Sequence, residues 1–495
     1  MLPMMSTMYY WRIRLNEETM KYCPNVTRIS RPEWDSDYPI DDLFYVLCLS
    51  ESFDGYFWNM RRLKSIKLLM KDDNSARAKY ALFKLDKMSK FLGQLETFSI
   101  EIKVTDQNFI EELFQCRNVL SHLTGLDFPE AFHPIFAEVP QRCKNLKSLL
   151  FNFQNSNDHK PEISTLLASL QQLTSLKSLS FILPEDAKLF WNHLKPQSSL
   201  RYLTLKFNAS DLMNVNNKDA VRHWGEIKEL EVLELKILCG PAREIMLARL
   251  LTTNILKKVD KLRQLKVSLE GALDHLGFQG CCEPFVAEEV PHLYESMERF
   301  EYSLQNSSKE QDIKVDLKMT KLKFFRSLKE VKLDGDGVCY EDMDKIVDLL
   351  QENQKASGDY PMLEINFESK ARPRWLGDTL QKISKVKRVD KNLKIAINLA
   401  SKTETPRGIK DNRLVQIFEE FCENIQTVRT VKGLAICLNL HDTSCFYSLP
   451  VESVKRILDK HAGVRNVDVC LDNFIGSIEY VNMDGEKTQF LVKKS

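Results

Sequence analysis

Apolar residues recur along the chain in one short pattern. Residues 200–208, LRYLTLKFN, show it most fully, with leucine at the first, fourth and sixth places and Asn208 at the ninth. Alternate residues of a strand lie on the same side, so the sixth and fourth places share one face. The pattern therefore predicts a short strand with one buried side, followed by a turn in which the Asn208 side chain binds backbone groups.

Fourteen copies of this pattern occur between residues 63 and 469. The residues at the fourth place are Ile66, Phe98, Leu126, Leu149, Leu179, Leu203, Leu233, Leu265, Phe300, Val331, Leu363, Leu393, Leu434 and Val467. Successive copies lie on average about 31 residues apart, over a range of 23 to 41. Self-similarity at such a period predicts a solenoid, in which each repeat stacks on its neighbours.

The segments between the copies show helical spacing. Met343, Ile346, Val347 and Leu350 stand at i, i+3, i+4 and i+7, and the same spacing recurs over residues 414–421. This periodicity predicts an amphipathic helix. Each repeat is therefore predicted to be strand, turn, helix and return, which gives an α/β solenoid.

The pattern L-x-x-L-x-L-x-x-N resembles that of the leucine-rich repeat family. Over about residues 60–472 the chain is most similar to the ribonuclease-inhibitor-like branch, which has a helix in each repeat. The resemblance implies a curved horseshoe with parallel strands on the concave face and helices on the convex face. It also implies a protein-binding platform, and some members regulate small GTPases or present substrates to ubiquitin ligases. Two departures stand out: only Asn208 fills the ninth place with asparagine, and the repeat length varies.

Three segments follow from this reading. Residues 1–60 are predicted to form an irregular N-terminal cap, and residues 61–472 about fourteen degenerate repeats. Residues 473–495 alternate in polarity around Asp484-Gly485, the dipeptide preferred in tight hairpin turns. That last segment predicts a C-terminal β-hairpin cap.

Length, charge and cysteine content limit the classes of protein to which the chain can belong. A chain of 495 residues is too long for one compact core, which also favours a solenoid. It has 70 Lys and Arg against 69 Asp and Glu, so no overall field attracts nucleic acid or a membrane. Arg12 and Arg14 interrupt the apolar N-terminus before it reaches the length of a signal peptide or a membrane span. With twelve scattered cysteines, expected to be reduced, we predict a cytoplasmic monomer that binds protein partners.

Candidate catalytic and metal sites fail on inspection. Asp334 opens a stretch like a calcium loop, but Lys345 stands at its twelfth position, where calcium needs a carboxylate. Cys281 and Cys282, with His292 nearby, match no zinc spacing. We therefore predict a protein that is not an enzyme and has neither a metal nor a cofactor.

The inner-face positions of the first half are largely uncharged. They include Ser148, Leu150, Asn152, Ser178, Ser180, Ile182, Tyr202, Thr204 and Lys206. Hydroxyl and aromatic groups lose little on desolvation, and tyrosine is frequent at interface hot spots. These residues are predicted to contact the protein partner, and the alternative is an ordinary solvated sheet face.

In the second half, the middle inner-face position alternates in charge. The series is Glu234, Lys266, Glu301, Lys332, Glu364 and Lys394. Opposite charges on neighbouring strands attract each other. The series is therefore either a mixed-charge binding surface or a ladder that stabilises repeat stacking.

One stretch is strongly basic and supplies a further candidate. It contains Arg372, Arg374, Trp375, Lys385, Lys387 and Arg388. Ion pairing and stacking would hold a phosphate-rich ligand there, and the alternative is the solvated face of a helix. Two other functions stay open: a GTPase activator that uses Arg407 on a loop, and a ubiquitin-ligase subunit, for which residues 1–60 show no F-box-like segment.

Overall fold

The structure is a computed structural model, and it divides into two units. They comprise Met1–Phe207 with Asn214–Leu230, and Asn208–Met213 with Glu231–Ser495. The residues described are 8–9, 28–30, 64–71, 82–83, 85–103, 107–129, 132–154, 159–183, 190, 199–214, 227–239, 242–271, 287–306, 315–317, 320–335, 338–340, 346, 349–350, 352–353, 362–368, 394–400, 435–441, 466–471, 476–481 and 487–492.

The first unit is built on a parallel sheet whose strands follow one another in chain order. They are β1 (Met8–Tyr9), β2 (Arg28–Ser30), β3 (Ser65–Lys71), β4 (Thr97–Lys103), β5 (Gly125–Phe128), β6 (Ser148–Asn152), β7 (Ser178–Ile182) and β8 (Tyr202–Asn208). Each strand pairs in parallel with the next. Parallel neighbours in chain order require a crossover connection between every two strands.

The second unit repeats this arrangement. Its strands are β9 (Val232–Leu238), β10 (Gln264–Gly271), β11 (Arg299–Asn306), β12 (Val315–Leu317), β13 (Glu330–Gly335), β14 (Val338–Tyr340), β15 (Met362–Glu368), β16 (Lys394–Ala400), β17 (Ala435–His441), β18 (Asn466–Leu471), β19 (Gly476–Val481) and β20 (Lys487–Val492). Strands β9, β10, β11, β13, β15, β16, β17 and β18 pair in parallel in that order. Strands β12 and β14 form a separate parallel pair, and β19 and β20 pair antiparallel.

All fourteen copies of the apolar pattern coincide with strands, namely β3 to β11, β13 and β15 to β18. The prediction of parallel strands in a repeating α/β arrangement is therefore confirmed. Buried and accessible positions alternate in β4, where Phe98, Ile100 and Ile102 are buried. The same alternation runs through β7 and β9, so one side of each strand faces the core.

Phenylalanines form a continuous part of the core in the first unit. The rings of Phe128 and Phe136 stack with their centroids 3.7 Å apart, and Phe136 lies 5.6 Å from Phe151. Phe153 continues the series, 5.8 Å from Phe151 and 5.4 Å from Phe181. These rings come from neighbouring repeats, so their packing ties one repeat to the next.

The connections are less regular than predicted. The described α-helices are α1 (Ser89–Leu92), α2 (Gln107–Leu113), α3 (Arg117–His122), α4 (Val139–Arg142), α5 (Lys160–Ser169) and α6 (Ala242–Leu256). Among them only α5 and α6 reach ten residues, and several returns are 3₁₀ turns such as Pro134–Glu138. Short intervals and prolines explain this, because Leu126 and Leu149 are only 23 residues apart and Pro134 and Pro140 lie between them.

Asparagine side chains hold two of the turns. The N–H of Ser210 donates to Oδ1 of Asn208 at 3.1 Å, as the ninth-place asparagine predicts. Asn152 has the same role without standing at a ninth place. Its Nδ2 donates to the carbonyl of Pro129 at 2.7 Å, and its Oδ1 accepts from the N–H of Gln154 at 2.9 Å.

Aligning the repeats by the fourth place of the pattern predicts the strand register, and the observed register departs from that prediction at three strand pairs. Gly125, not Asp127, lies beside Ser99, and Asp127 lies beside Glu101. Farther along, Ala396 takes the place predicted for Lys394 beside Glu364. A shift of two residues keeps every side chain on its own face, so the apolar pattern cannot detect it.

Strands β16 and β17 keep the predicted alignment, with Lys394 beside Ala435 and Ala396 beside Cys437. Strands β17 and β18 form the third departure, a shift of two residues in the opposite direction, since Asp468 lies beside Cys437 and not beside Ala435. The predicted charge alternation is therefore wrong at Lys394, which lies beside Met362.

We predict that Gly125→Ala destabilises the first unit, because a Cβ at Gly125 would lie 2.7 Å from the Cβ of Ser99. Overpacking of this kind costs roughly 1–3 kcal/mol. Denaturant unfolding of Gly125→Ala measures that loss. Adding Ser99→Gly removes the opposing atom and should recover part of the loss, whereas strictly additive losses would contradict the close approach.

Candidate binding face

The side of β4 to β8 opposite the apolar core presents two rows of residues. One row is Ser99, Gly125, Ser148, Ser178 and Tyr202, and the other is Glu101, Asp127, Leu150, Ser180 and Thr204. We call these ten residues the first strand face. In-register parallel strands lie about 4.8 Å apart, so each row is a line of close neighbours.

Most of the residues predicted to bind a partner lie on this face. Five of them are half-buried, namely Ser148, Leu150, Ser178, Ser180 and Thr204. Tyr202 is exposed, with 46 % of the residue's surface accessible to solvent. Residues of this kind form a surface with little charge to desolvate.

Three more of the predicted residues form a third row next to this face. They are Asn152 on β6, Ile182 on β7 and Lys206 on β8, which lie side by side in register. Asn152 is 8 % exposed, and its amide is engaged in the turn described above. Its role is therefore structural. Ile182 and Lys206 are half-buried and border the face.

Paired charges lie on the β3 and β4 side of the face. Glu101 accepts from Lys103, with Nζ to Oε1 at 3.0 Å, and from Lys67, with Nζ to Oε2 at 3.4 Å. Burial by itself raises the pKa of Glu101. The hydrogen bonds and charges of Lys103 and Lys67 outweigh it, so the pKa lies below its ordinary value.

Asp127 lies beside Glu101 but has a different environment. Burial raises the pKa of Asp127, the charge of Lys67 opposes that effect, and the charge of Glu101 adds to it. Within the described part of the chain, the Asp127 carboxylate forms no hydrogen bond or ion pair. Its surroundings therefore stabilise the neutral carboxyl relative to a carboxyl in water, which is the meaning of the raised pKa.

The sequence analysis missed Glu101 as a neighbour of Asp127, because the predicted alignment places Ser99 beside Asp127. The apolar residues of β4 continue to Ile102, which permits a second alignment two residues later. That continued alternation was the available signal. Only the pairing with β5 selects between the two alignments.

The second unit has a charged strand face. Lys266 lies between Glu234 and Glu301 in register, and Glu301 lies beside Lys332. Nζ of Lys266 is 3.0 Å from Oε2 of Glu301, and Nε2 of Gln264 donates to Oε1 of Glu301 at 2.9 Å. These charges are compensated within the sheet, which supports the stacking role of the ladder.

Other ion pairs extend this pattern on the same face. Nε of Arg299 is 3.1 Å from Oε2 of Glu330, across the strand pair β11 and β13. Along β9, Nζ of Lys236 is 3.1 Å from Oε1 of Glu234. Pairs of this type, which are partly exposed, contribute little individually and are screened by salt.

Several sequence candidates lie outside the described residues. They are the basic stretch with Arg372, Arg374, Trp375, Lys385, Lys387 and Arg388, together with Arg407, Cys281 and Cys282. Nε2 of His292 lies 2.9 Å from the carbonyl oxygen of Leu256, near the end of α6. That contact gives His292 a structural partner.

The cysteines described with their side chains are Cys116, Cys143 and Cys239, which are free and buried. Burial raises the pKa of each of these thiols to about 12, so they stay protonated at neutral pH. Within the described ranges, no group of three or more His, Cys, Asp or Glu is arranged to hold a metal ion. None of the helices in those ranges has the length and apolar character needed to span a membrane.

Comparison with known proteins adds no relative. No protein-family model matches the chain, and no curated protein matches it either.

We predict that Lys266→Glu destabilises the second unit at low salt, because it would align three acidic residues across β9, β10 and β11. Cross-strand charge pairs contribute roughly 0.2–1 kcal/mol each, and like charges cost a similar amount. Thermal unfolding at low and high salt measures the change. Lys266→Gln is the control, since it removes the attraction without adding repulsion, and equal losses in the two variants would contradict the ladder.

We predict that Asp127→Asn stabilises the first unit at neutral pH. A raised pKa means that the folded state binds the Asp127 proton more tightly than the unfolded state. The free energy of unfolding therefore falls as the pH rises from the ordinary carboxyl pKa through the raised pKa of Asp127. Asparagine has no such ionisation. Its melting temperature should exceed that of the wild type at neutral pH, and the gain should vanish below the ordinary carboxyl pKa.

Glu111→Gln is the control for net charge, since Glu111 is an exposed carboxylate on α2. A lower melting temperature of Asp127→Asn at neutral pH would show that the ionised carboxylate stabilises the fold.

Proposed function

We propose that this chain is a non-enzymatic scaffold of the leucine-rich repeat type, which binds a protein partner through the first strand face. We place this activity in the cytoplasm, in line with the scattered cysteines. Fourteen strands at the predicted positions support the repeat reading, with the horseshoe of the ribonuclease-inhibitor-like branch as its finer form. The proposal would make the strands a rigid support for partner-facing side chains.

The observation that carries the proposal is the chemistry of the face. Ser148, Ser178 and Ser180 occupy neighbouring positions on β6 and β7, and Thr204 continues their line on β8. Tyr202 projects beside them. Small hydroxyl groups exchange water for partner contacts at low cost, and an exposed tyrosine supplies apolar area with few rotamers.

The second unit supports this choice by contrast. Lys266 and Glu301 are already paired across β10 and β11. A partner that covered them would have to desolvate charges whose attraction is already satisfied. The first strand face is therefore the more favourable place for a protein contact.

We predict that Tyr202→Ala and Ser180→Arg each weaken partner binding at least tenfold. A tenfold change corresponds to about 1.4 kcal/mol, which is within the range of a hot-spot side chain. The tagged full-length chain and its variants would be used to purify partners from cells that express it. The affinity of each recovered protein would then be measured with purified components.

Matched controls are available in the same unit. Phe83→Ala removes an aromatic ring of equal exposure, 45 % against 46 % for Tyr202. Gln171→Arg adds the same charge as Ser180→Arg on the exposed 3₁₀ turn Leu170–Gln172. Equal binding by all four variants and the wild type, with melting temperatures unchanged, would overturn the assignment of the face.

A further inference from the structure

Two carboxylates lie side by side on the first strand face, but among the described residues only Glu101 forms ion pairs. Glu101 and Asp127 are register neighbours on β4 and β5. Lys67 and Lys103 both pair with Glu101. Asp127 has no hydrogen bond or ion pair from any described residue, although it is partly buried.

Small residues border Asp127. Gly125 stands two residues before it on the same strand, and Ser99 and Ser148 flank Gly125 in register. Leu150 is the direct neighbour of Asp127 on β6. Asp127 itself is only half-buried, so a side chain from outside the sheet can approach its carboxylate.

This arrangement constrains what can cover the face. A partner that excludes water from Asp127 removes its remaining solvation, and burial without a compensating donor is strongly unfavourable. An amide or hydroxyl donor would compensate in part. A cation compensates more than a neutral donor, and a guanidinium forms two parallel hydrogen bonds to one carboxylate.

We propose that the protein partner presents a basic side chain, preferably arginine, to Asp127. This inference rests on the proposed function of the first strand face. The partner segment is otherwise uncharged, because the rest of the face offers serine, threonine, leucine and tyrosine side chains. Lys67 and Lys103 already satisfy Glu101, so Asp127 is the anionic position left for the partner.

The sheet also fixes the spacing within the partner. In register, Asp127 on β5 aligns with Thr204 on β8, three strands away, and Tyr202 precedes Thr204 by two residues on β8. In an ideal sheet this corresponds to a separation of about 16 Å between the Cα atoms of Asp127 and Tyr202. An extended chain covers that distance in about five residues. The partner segment therefore carries its arginine about five residues from an apolar or aromatic residue that packs on Tyr202.

A random linear peptide library displayed on phage tests the inference. Selection against the full-length chain should enrich peptides with arginine or lysine about five residues from an apolar residue. A parallel selection against Asp127→Asn should lose that basic enrichment. Glu111→Gln, which removes one exposed negative charge on α2, should retain it.

Affinities of synthetic peptides then separate the contributions. Asp127→Asn should weaken the best peptide at least tenfold, and replacing its arginine with neutral citrulline should weaken binding to the wild type equally. The two changes together should cost no more than either alone, because both remove the same ion pair.

The outcomes distinguish the inference from the function on which it rests. Peptides that lose affinity for Tyr202→Ala but bind wild type and Asp127→Asn equally would overturn the basic partner and retain the binding face. Selection of peptides insensitive to both Tyr202→Ala and Ser180→Arg, or of no peptides, would overturn the binding face and the inference together.

Discussion

Parallel pairing between consecutive strands is the constraint on which each unit depends. A single strand of this chain has one apolar side and a backbone whose polar groups need partners on both edges. Pairing in register satisfies both needs, since it aligns Leu149 with Leu126 on one side and with Leu179 on the other. No repeat can bury its apolar residues without its neighbours.

The same pairing organises the accessible side of the sheet. Residues that are 23 to 41 positions apart in the chain become neighbours at the spacing of adjacent strands. In the first unit this brings Ser148, Ser178 and Tyr202 into one line. In the second unit it brings Glu234, Lys266 and Glu301 into one line, so the two units present different chemistry on a common framework.

The two strand faces differ more clearly in whether their charged side chains form ion pairs within the sheet than in how many charged side chains they carry. Lys266 and Glu301 satisfy each other within the sheet, as do Glu101 and Lys103 at the edge of the first strand face. Asp127 differs because its register neighbours are Glu101 and Leu150, neither of which donates a hydrogen bond. Strand register thus sets which groups lie beside each carboxylate.

The sequence by itself determined where the fourteen repeat strands lie and which side is buried in strands such as β4, β7 and β9, because alternating apolar residues impose both. It also located the turn held by Asn208. Tertiary structure alone decided the alignment between strands, since a shift of two residues leaves the apolar pattern unchanged. That alignment put Asp127 beside Glu101 and Ala396 beside Glu364, and packing against the neighbouring turn made Asn152 structural. Contacts between neighbouring repeats, whose residues are distant in sequence, fix these details, and a local pattern does not encode them.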